Sequence, residues 1–167
     1  MGRSMVLLVA ATAVALFAGA CGTQRGGTQQ VGEMQRESRS IQAENAQSVR
    51  ANLKIGAGEL DLTGGADQLM EADFAYNVAD WKPKVNYDVS GGEGELSLRQ
   101  GSGGGVRLGG DARNEWDIRL NDEVPTDLVV QMGAGESDLD LDSLTLRGVS
   151  LQMGAGKATV DLTGDYA

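Results

Sequence analysis

Leu128, Val130 and Met132 alternate with Val129 and Gln131, and Val149, Leu151 and Met153 alternate with Ser150 and Gln152. Strict alternation of apolar and polar positions marks a strand with one buried face. Each run ends in the same corner, Gly133-Ala134-Gly135 and Gly154-Ala155-Gly156, and alternation resumes beyond it. Leu139 and Leu141 stand between Asp138, Asp140 and Asp142 in the first copy, and Val160 and Leu162 flank Asp161 in the second. The copies lie 21 residues apart (154 − 133), and a fixed period of that size is the mark of stacked repeats. The pattern predicts an all-β fold, a β-solenoid-like stack of repeated strand–Gly-Ala-Gly–strand rungs.

Earlier segments read as further rungs. Val49, Ala51, Leu53 and Ile55 alternate into Gly56-Ala57-Gly58, with Leu60-Asp61-Leu62 two residues closer to its corner than the same triplet in the later copies. Gly92-Glu93-Gly94 runs into Leu96-Ser97-Leu98 in the same way. The repeat glycines Gly56, Gly58, Gly92, Gly94, Gly133, Gly135, Gly154 and Gly156 are therefore predicted as structural corners, where small size and φ freedom allow a sharp bend. Phe74, Tyr76 and Val78, then Val85, Tyr87 and Val89, then Trp116, Ile118 and Leu120 alternate between these units. Asn121 to Pro125 makes a turn into the main repeat.

The two ends change the picture from a bare stack to an exported one. Arg3 precedes the apolar run from Met5 to Ala20, which reads as a secretory signal over residues 1–20. Ala18-Gly19-Ala20-Cys21 resembles the lipobox of bacterial lipoproteins, which implies lipidation of Cys21 and a membrane partner reached through that lipid. Residues 21–40 are polar and glycine-bearing and read as a flexible tether, leaving 41–167 as the β-repeat domain. Cys21 is the only cysteine, so no intramolecular disulfide can form. A net charge of −10 argues against nucleic acid and against adsorption to anionic lipid. The last repeat breaks off after Leu162. Residues 157–162 are therefore expected to form an open edge rung, because the chain is truncated there or because a partner or a second copy covers it edge to edge.

Leu53–Leu62, the Trp116–Leu128 run and the repeats at 133–141 and 154–162 together resemble the toast-rack domain of bacterial envelope proteins. The resemblance covers most of residues 41–167. It implies a β-solenoid-like stack, a location outside the cytoplasm, and a relation to cell-wall stress or adhesion.

Candidate chemistry is sparse. The sequence has no histidine, which removes the commonest general base and metal ligand. No cofactor, metal or catalytic residue is assigned. Asp138, Asp140 and Asp142 have calcium-like spacing, but the outward face of a strand already explains their period of two. Ser137 and Lys157 follow their corners and read as turn residues. Gly101–Gly110 lacks the Gly-Lys-Ser/Thr of a phosphate loop. The residues thus predict a non-enzymatic, lipid-anchored envelope protein acting as scaffold, adhesin or binding module toward an envelope protein or glycan of unknown identity. The rivals are a cell-wall glycan hydrolase working through carboxylates such as Glu59, Asp61, Asp138 and Asp140, and an envelope-stress sensor.

Overall fold

The computed structural model describes residues 31–101 and 111–163. The predicted signal, Cys21 and residues 102–110 lie outside the described residues. Eight strands follow in chain order: β1 (Val31–Ile41), β2 (Ser48–Thr63), β3 (Met70–Val78), β4 (Lys84–Ser90), β5 (Glu93–Arg99), β6 (Asn114–Leu120), β7 (Thr126–Asp140) and β8 (Leu146–Asp161). A 3-10 turn, Ala79–Trp81, joins β3 to β4. The fold is all-β.

β2 is the organising strand. Its first half lies between β5 and β7, its second half between β6 and β7, and all three neighbours run parallel to it. β3 then pairs antiparallel with β6 and with β1, and β4 pairs antiparallel with β5. β8 runs parallel to β7 along its whole length. The repeat therefore appears as three long parallel strands, β2, β7 and β8, with identical corners in register: Ala57 opposite Ala134, and Ala134 opposite Ala155.

Each long strand bends without ending. In β2 the inward residues are Val49, Ala51, Leu53 and Ile55 before the corner and Leu60 and Leu62 after it. The inward face switches from odd to even positions across Gly56–Glu59, so the corner absorbs a phase shift that would otherwise turn the second half inside out. β7 does the same in the opposite sense, with Leu128, Val130 and Met132 followed by Ser137 and Leu139. The inward residues of both halves join one core, in which Trp116 meets Phe74 edge to face at 5.1 Å and 80°. Each buried leucine contributes roughly 1.5–3 kcal/mol.

Three expectations are corrected. The polar run assigned to the tether enters the sheet at Val31: β1 pairs with β3 from Val31 to Ile41. Its side chains are almost all exposed, so no apolar period marks it, and backbone pairing alone makes it a strand. Gly92 and Gly94 are not a corner. Gly91 and Gly92 form the β4–β5 turn, and Leu96 and Leu98 pair with Ala51 and Leu53 in the first half of β2. Gly94 is small because the Tyr87 ring covers it. Finally, the Leu-Asp-Leu triplets do not occupy equivalent positions. Leu60 pairs with Ser137 and Leu62 with Leu139, so the copies align without a gap and Ser137 fills a leucine site.

β8 ends the stack. One of its edges pairs with β7, and the other has no strand partner among the described residues. Val149, Val160 and Leu162 are exposed, as expected for an open edge rung.

Candidate functional site

Strand pairing collects outward side chains from distant parts of the chain into rows. Across the first-half sheet, Lys84 pairs with Arg99, Arg99 with Lys54, Lys54 with Gln131, and Gln131 with Gln152. Five adjacent strands thus carry three cations and then two amides in one line. At about 4.8 Å between strands the line is about 19 Å long. Gln131 Nε2 donates to Gln152 Oε1 at 3.4 Å, and Arg99 Nε donates to Ser97 Oγ at 3.2 Å. None of the three cations has an ion-pair partner among the described residues.

This row borders a groove of about 940 Å3 that follows the stacked corners. Gly56, Gly133 and Gly154 line it beside the row, together with Trp81 and Gln100. The Gln100 side chain fixes the first corner: its Oε1 accepts from Gly56 N at 2.7 Å and from Ala57 N at 3.1 Å. Gly133 and Gly154 present backbone because the corners stack too closely for a side chain. A Cβ at Gly133 would run into the carbonyl of Gly56, and one at Gly154 into that of Gly133.

The second-half sheet carries the opposite charge. Asp73 pairs with Asp117, Asp117 with Asp61, and Asp61 with Asp138. Four carboxylates therefore stand side by side on β3, β6, β2 and β7. Partial burial first, then repulsion from Asp117 and Asp138, raise the Asp61 pKa from its ordinary value. The folded state holds that proton more tightly than the unfolded chain does. Ionisation therefore weakens the fold as pH rises through the carboxylate range, and the full cost remains at neutral pH. Asp61→Asn is expected to stabilise the domain at neutral pH and low salt by less than about 1 kcal/mol. The gain should shrink at about 1 M salt and vanish near about pH 3. Thermal melts over pH and salt check this, and a destabilised variant would mean the row is held by something other than repulsion.

Of the carboxylates named for the rival hydrolase, Asp61 and Asp138 are cross-strand neighbours and line one shallow concavity with Asp140, but none is shielded from solvent. Glu59, Asp61, Asp138 and Asp140 all point outward and are exposed. Asp142 is also raised, by Asp140 first. No group of three or more potential metal ligands lies close enough to hold an ion among the described residues. Ser137 and Lys157 stand on opposite faces: Ser137 is buried, while exposed Lys157 pairs with Glu136. Ser137 Oγ has no hydrogen-bond partner among the described residues. Ser137→Ala is expected to stabilise the domain by about 1 kcal/mol, since it removes a buried unsatisfied hydroxyl at little volume cost. Urea denaturation checks the sign.

The same geometry places the other predicted residues. Gly56, Gly58, Gly133, Gly135, Gly154 and Gly156 sit at the three stacked corners, and Gly58, Gly135 and Gly156 have positive φ. Sequence reading missed the cation row. Its members come from β4, β5 and β2, and none carries a motif; the signal was only that Lys54, Lys84 and Arg99 occupy outward positions of alternating runs.

A family model described as the N-terminal domain of toast_rack, DUF2154, matches residues 30–167. The chain belongs to the toast-rack family. The match begins where β1 begins, which agrees with β1 being part of the domain. This toast-rack chain is similar to a candidate cell adhesion protein from Clostridium sporogenes ATCC 15579, with 32% identity and a TM-score of 0.78 over 80% of its own length. It spans only 64% of that protein's chain. It also matches two candidate adhesins at 12% identity. That from Parabacteroides distasonis ATCC 8503 gives a TM-score of 0.37 over 75% of this chain and 55% of the other. That from Parabacteroides merdae ATCC 43184 gives 0.35 over 77% and 56%. No curated protein matches the toast-rack chain. No helix among its described residues is long and apolar enough to cross a membrane.

Proposed function

We propose that this toast-rack chain is a non-enzymatic, lipid-anchored binding module of the bacterial envelope, acting in adhesion. Lipid on Cys21 holds it at the membrane outside the cytoplasm, and the segment between Cys21 and Val31 is the tether. The all-β domain, with β2, β7 and β8 as solenoid-like rungs, presents a recognition surface to an envelope protein or glycan. The open edge of β8 offers a second surface, suited to pairing with another copy. The observation that carries the reading is the likeness to the Clostridium candidate cell adhesion protein, at 32% identity and a TM-score of 0.78. Support comes from the carboxylates, which lie along an open sheet face instead of converging on a shielded acid–base pair.

Cys21→Ser tests both halves of the reading in the producing cell. The variant should leave the membrane fraction for the soluble exported fraction, and attachment of the cells to a wall-glycan surface should fall several-fold. A variant that stays with the membrane overturns the anchor. Attachment that does not change after release overturns adhesion.

A further inference from the structure

We propose that the outer face of the first-half sheet, beside the stacked corners, binds an anionic, hydroxyl-rich chain: a glycan or polyol strand bearing carboxylate or phosphodiester groups. The proposal rests on the binding-module reading and adds to it a site and a ligand class.

Four observations carry it. Lys84, Arg99 and Lys54 form a continuous cross-strand row, and none has an ion-pair partner among the described residues. The chain as a whole has a net charge of −10, so three adjacent unpaired cations run against its general balance. Like charges directly opposite on neighbouring strands destabilise a sheet, and an anion laid along the row removes that repulsion.

The next outward row supplies the hydroxyl recognition. Asn86 pairs with Ser97, Ser97 with Asn52, Asn52 with Val129, and Val129 with Ser150. This row bears no charge and four amide or hydroxyl groups, which donate to and accept from sugar or polyol oxygens. It also separates the cations from the acidic third row, where Asp88 pairs with Glu95, and Arg50 with Asp127. Four residues of strand set the cations about 13 Å from those carboxylates, beyond a Debye length at physiological salt.

The groove sets the shape. Its open space of about 940 Å3 runs along the corners beside the row, and the corner glycines leave bare backbone on its wall. The row is about 19 Å long and its three charges span about 10 Å of it, which fits an extended polymer rather than one compact anion. Gln131 and Gln152 continue the line with amides, so the charged groups of the ligand seat at the β4–β5–β2 end. Nucleic acid is the less favoured polyanion: the row Lys84, Arg99, Lys54, Gln131 and Gln152 offers no aromatic ring for base stacking.

The full-length chain, in the detergent-solubilised form, is titrated with four probes: oligogalacturonate, a glycerol-phosphate oligomer, a neutral chitin oligosaccharide and single-stranded DNA of equal charge. At least one of the first two should bind with salt-dependent affinity, and which one does separates a carboxylate from a phosphodiester source. The neutral oligosaccharide should bind at least tenfold more weakly. Combined Lys54→Gln, Lys84→Gln and Arg99→Gln should weaken binding at least tenfold, while Asp61→Asn leaves it unchanged. Gln152→Lys, on exposed β8, should tighten binding several-fold and serves if the triple variant fails to fold. The proposal is overturned if neither anionic polyol binds, if the DNA or the neutral sugar binds as well, or if the row substitutions have no effect on affinity. Those results would leave the adhesion reading standing, since attachment after Cys21→Ser release is measured separately.

Discussion

Gly135→Ala is expected to cost about 3–5 kcal/mol, a large part of the roughly 5–15 kcal/mol that holds a domain of this kind together. Gly135 has φ 134°, a conformation that an L side chain rarely adopts. Its Cβ would also meet the carbonyl of Gly58, while the Cβ of a residue at position 156 would meet the carbonyl of Gly135. The corners form a column of backbone on backbone, so neither neighbour can move aside without displacing the next rung. Gly91→Ala is the control. Its φ is 61° and nothing lies within 4 Å of the added methyl, so only the backbone strain remains, about 1–2 kcal/mol. Urea midpoints of the two variants should differ by at least twofold in the change they show. Equal losses would mean that the stacking of corners contributes nothing beyond φ.

Asn114→Ala should destabilise by about 3–4 kcal/mol. Asn114 is buried at the start of β6 and works in both directions. Its Nδ2 donates to Ala57 O at 2.9 Å, and its Oδ1 accepts from Trp116 Nε1 at 2.9 Å. Ala57 lies in the first corner, so this one amide ties β6 to the point where β2 bends. Truncation leaves the buried indole N–H and the corner carbonyl without partners, and each loss costs the desolvation of a polar group. It also opens space beside Gly58, whose close approach to Asn114 shapes the corner. Chemical denaturation followed by tryptophan fluorescence measures the loss. A variant with near-native stability would show that water replaces the amide at the corner.

Much of this domain was legible in its alternation. The strands around Leu128–Met132 and Val149–Met153 and their glycine corners follow from period two and the 21-residue spacing, while the parallel direction of the copies comes from their pairing. What alternation could not give was position along a corner. Leu60-Asp61-Leu62 looks like Leu139-Asp140-Leu141, yet it pairs with Ser137-Asp138-Leu139. A serine in a leucine site misleads any reading based on hydrophobicity, and only backbone register resolves it. β1 was invisible for a related reason: an edge strand exposed on nearly every residue has no buried face to leave a pattern. The cation row was hidden because Lys54, Lys84 and Arg99 are adjacent only through two different pairings, one parallel and one antiparallel.

The in-register stack has a consequence for how the chain finds its fold. β7 and β8 share Gln-Met-Gly-Ala-Gly at equivalent positions, so over that stretch β8 is a second candidate for the place beside β2 that β7 takes. A sequence with two such similar candidates carries a competing compact state built from its own repeat. Selection between them falls on the short link from β7 to β8. Leu141, Leu144 and Leu146 are buried there. The backbone at Thr145 bonds both ways, accepting from Thr126 N at 2.9 Å and donating to Asp122 O at 3.1 Å. That pair of bonds ties the link to the entrance of β7, so the strand beginning at Thr126 is held against β2 and the one beginning at Leu146 is kept one place outside it. The few residues between the repeats therefore carry what the repeat itself lacks, contacts that tell the entrance of β7 from that of β8.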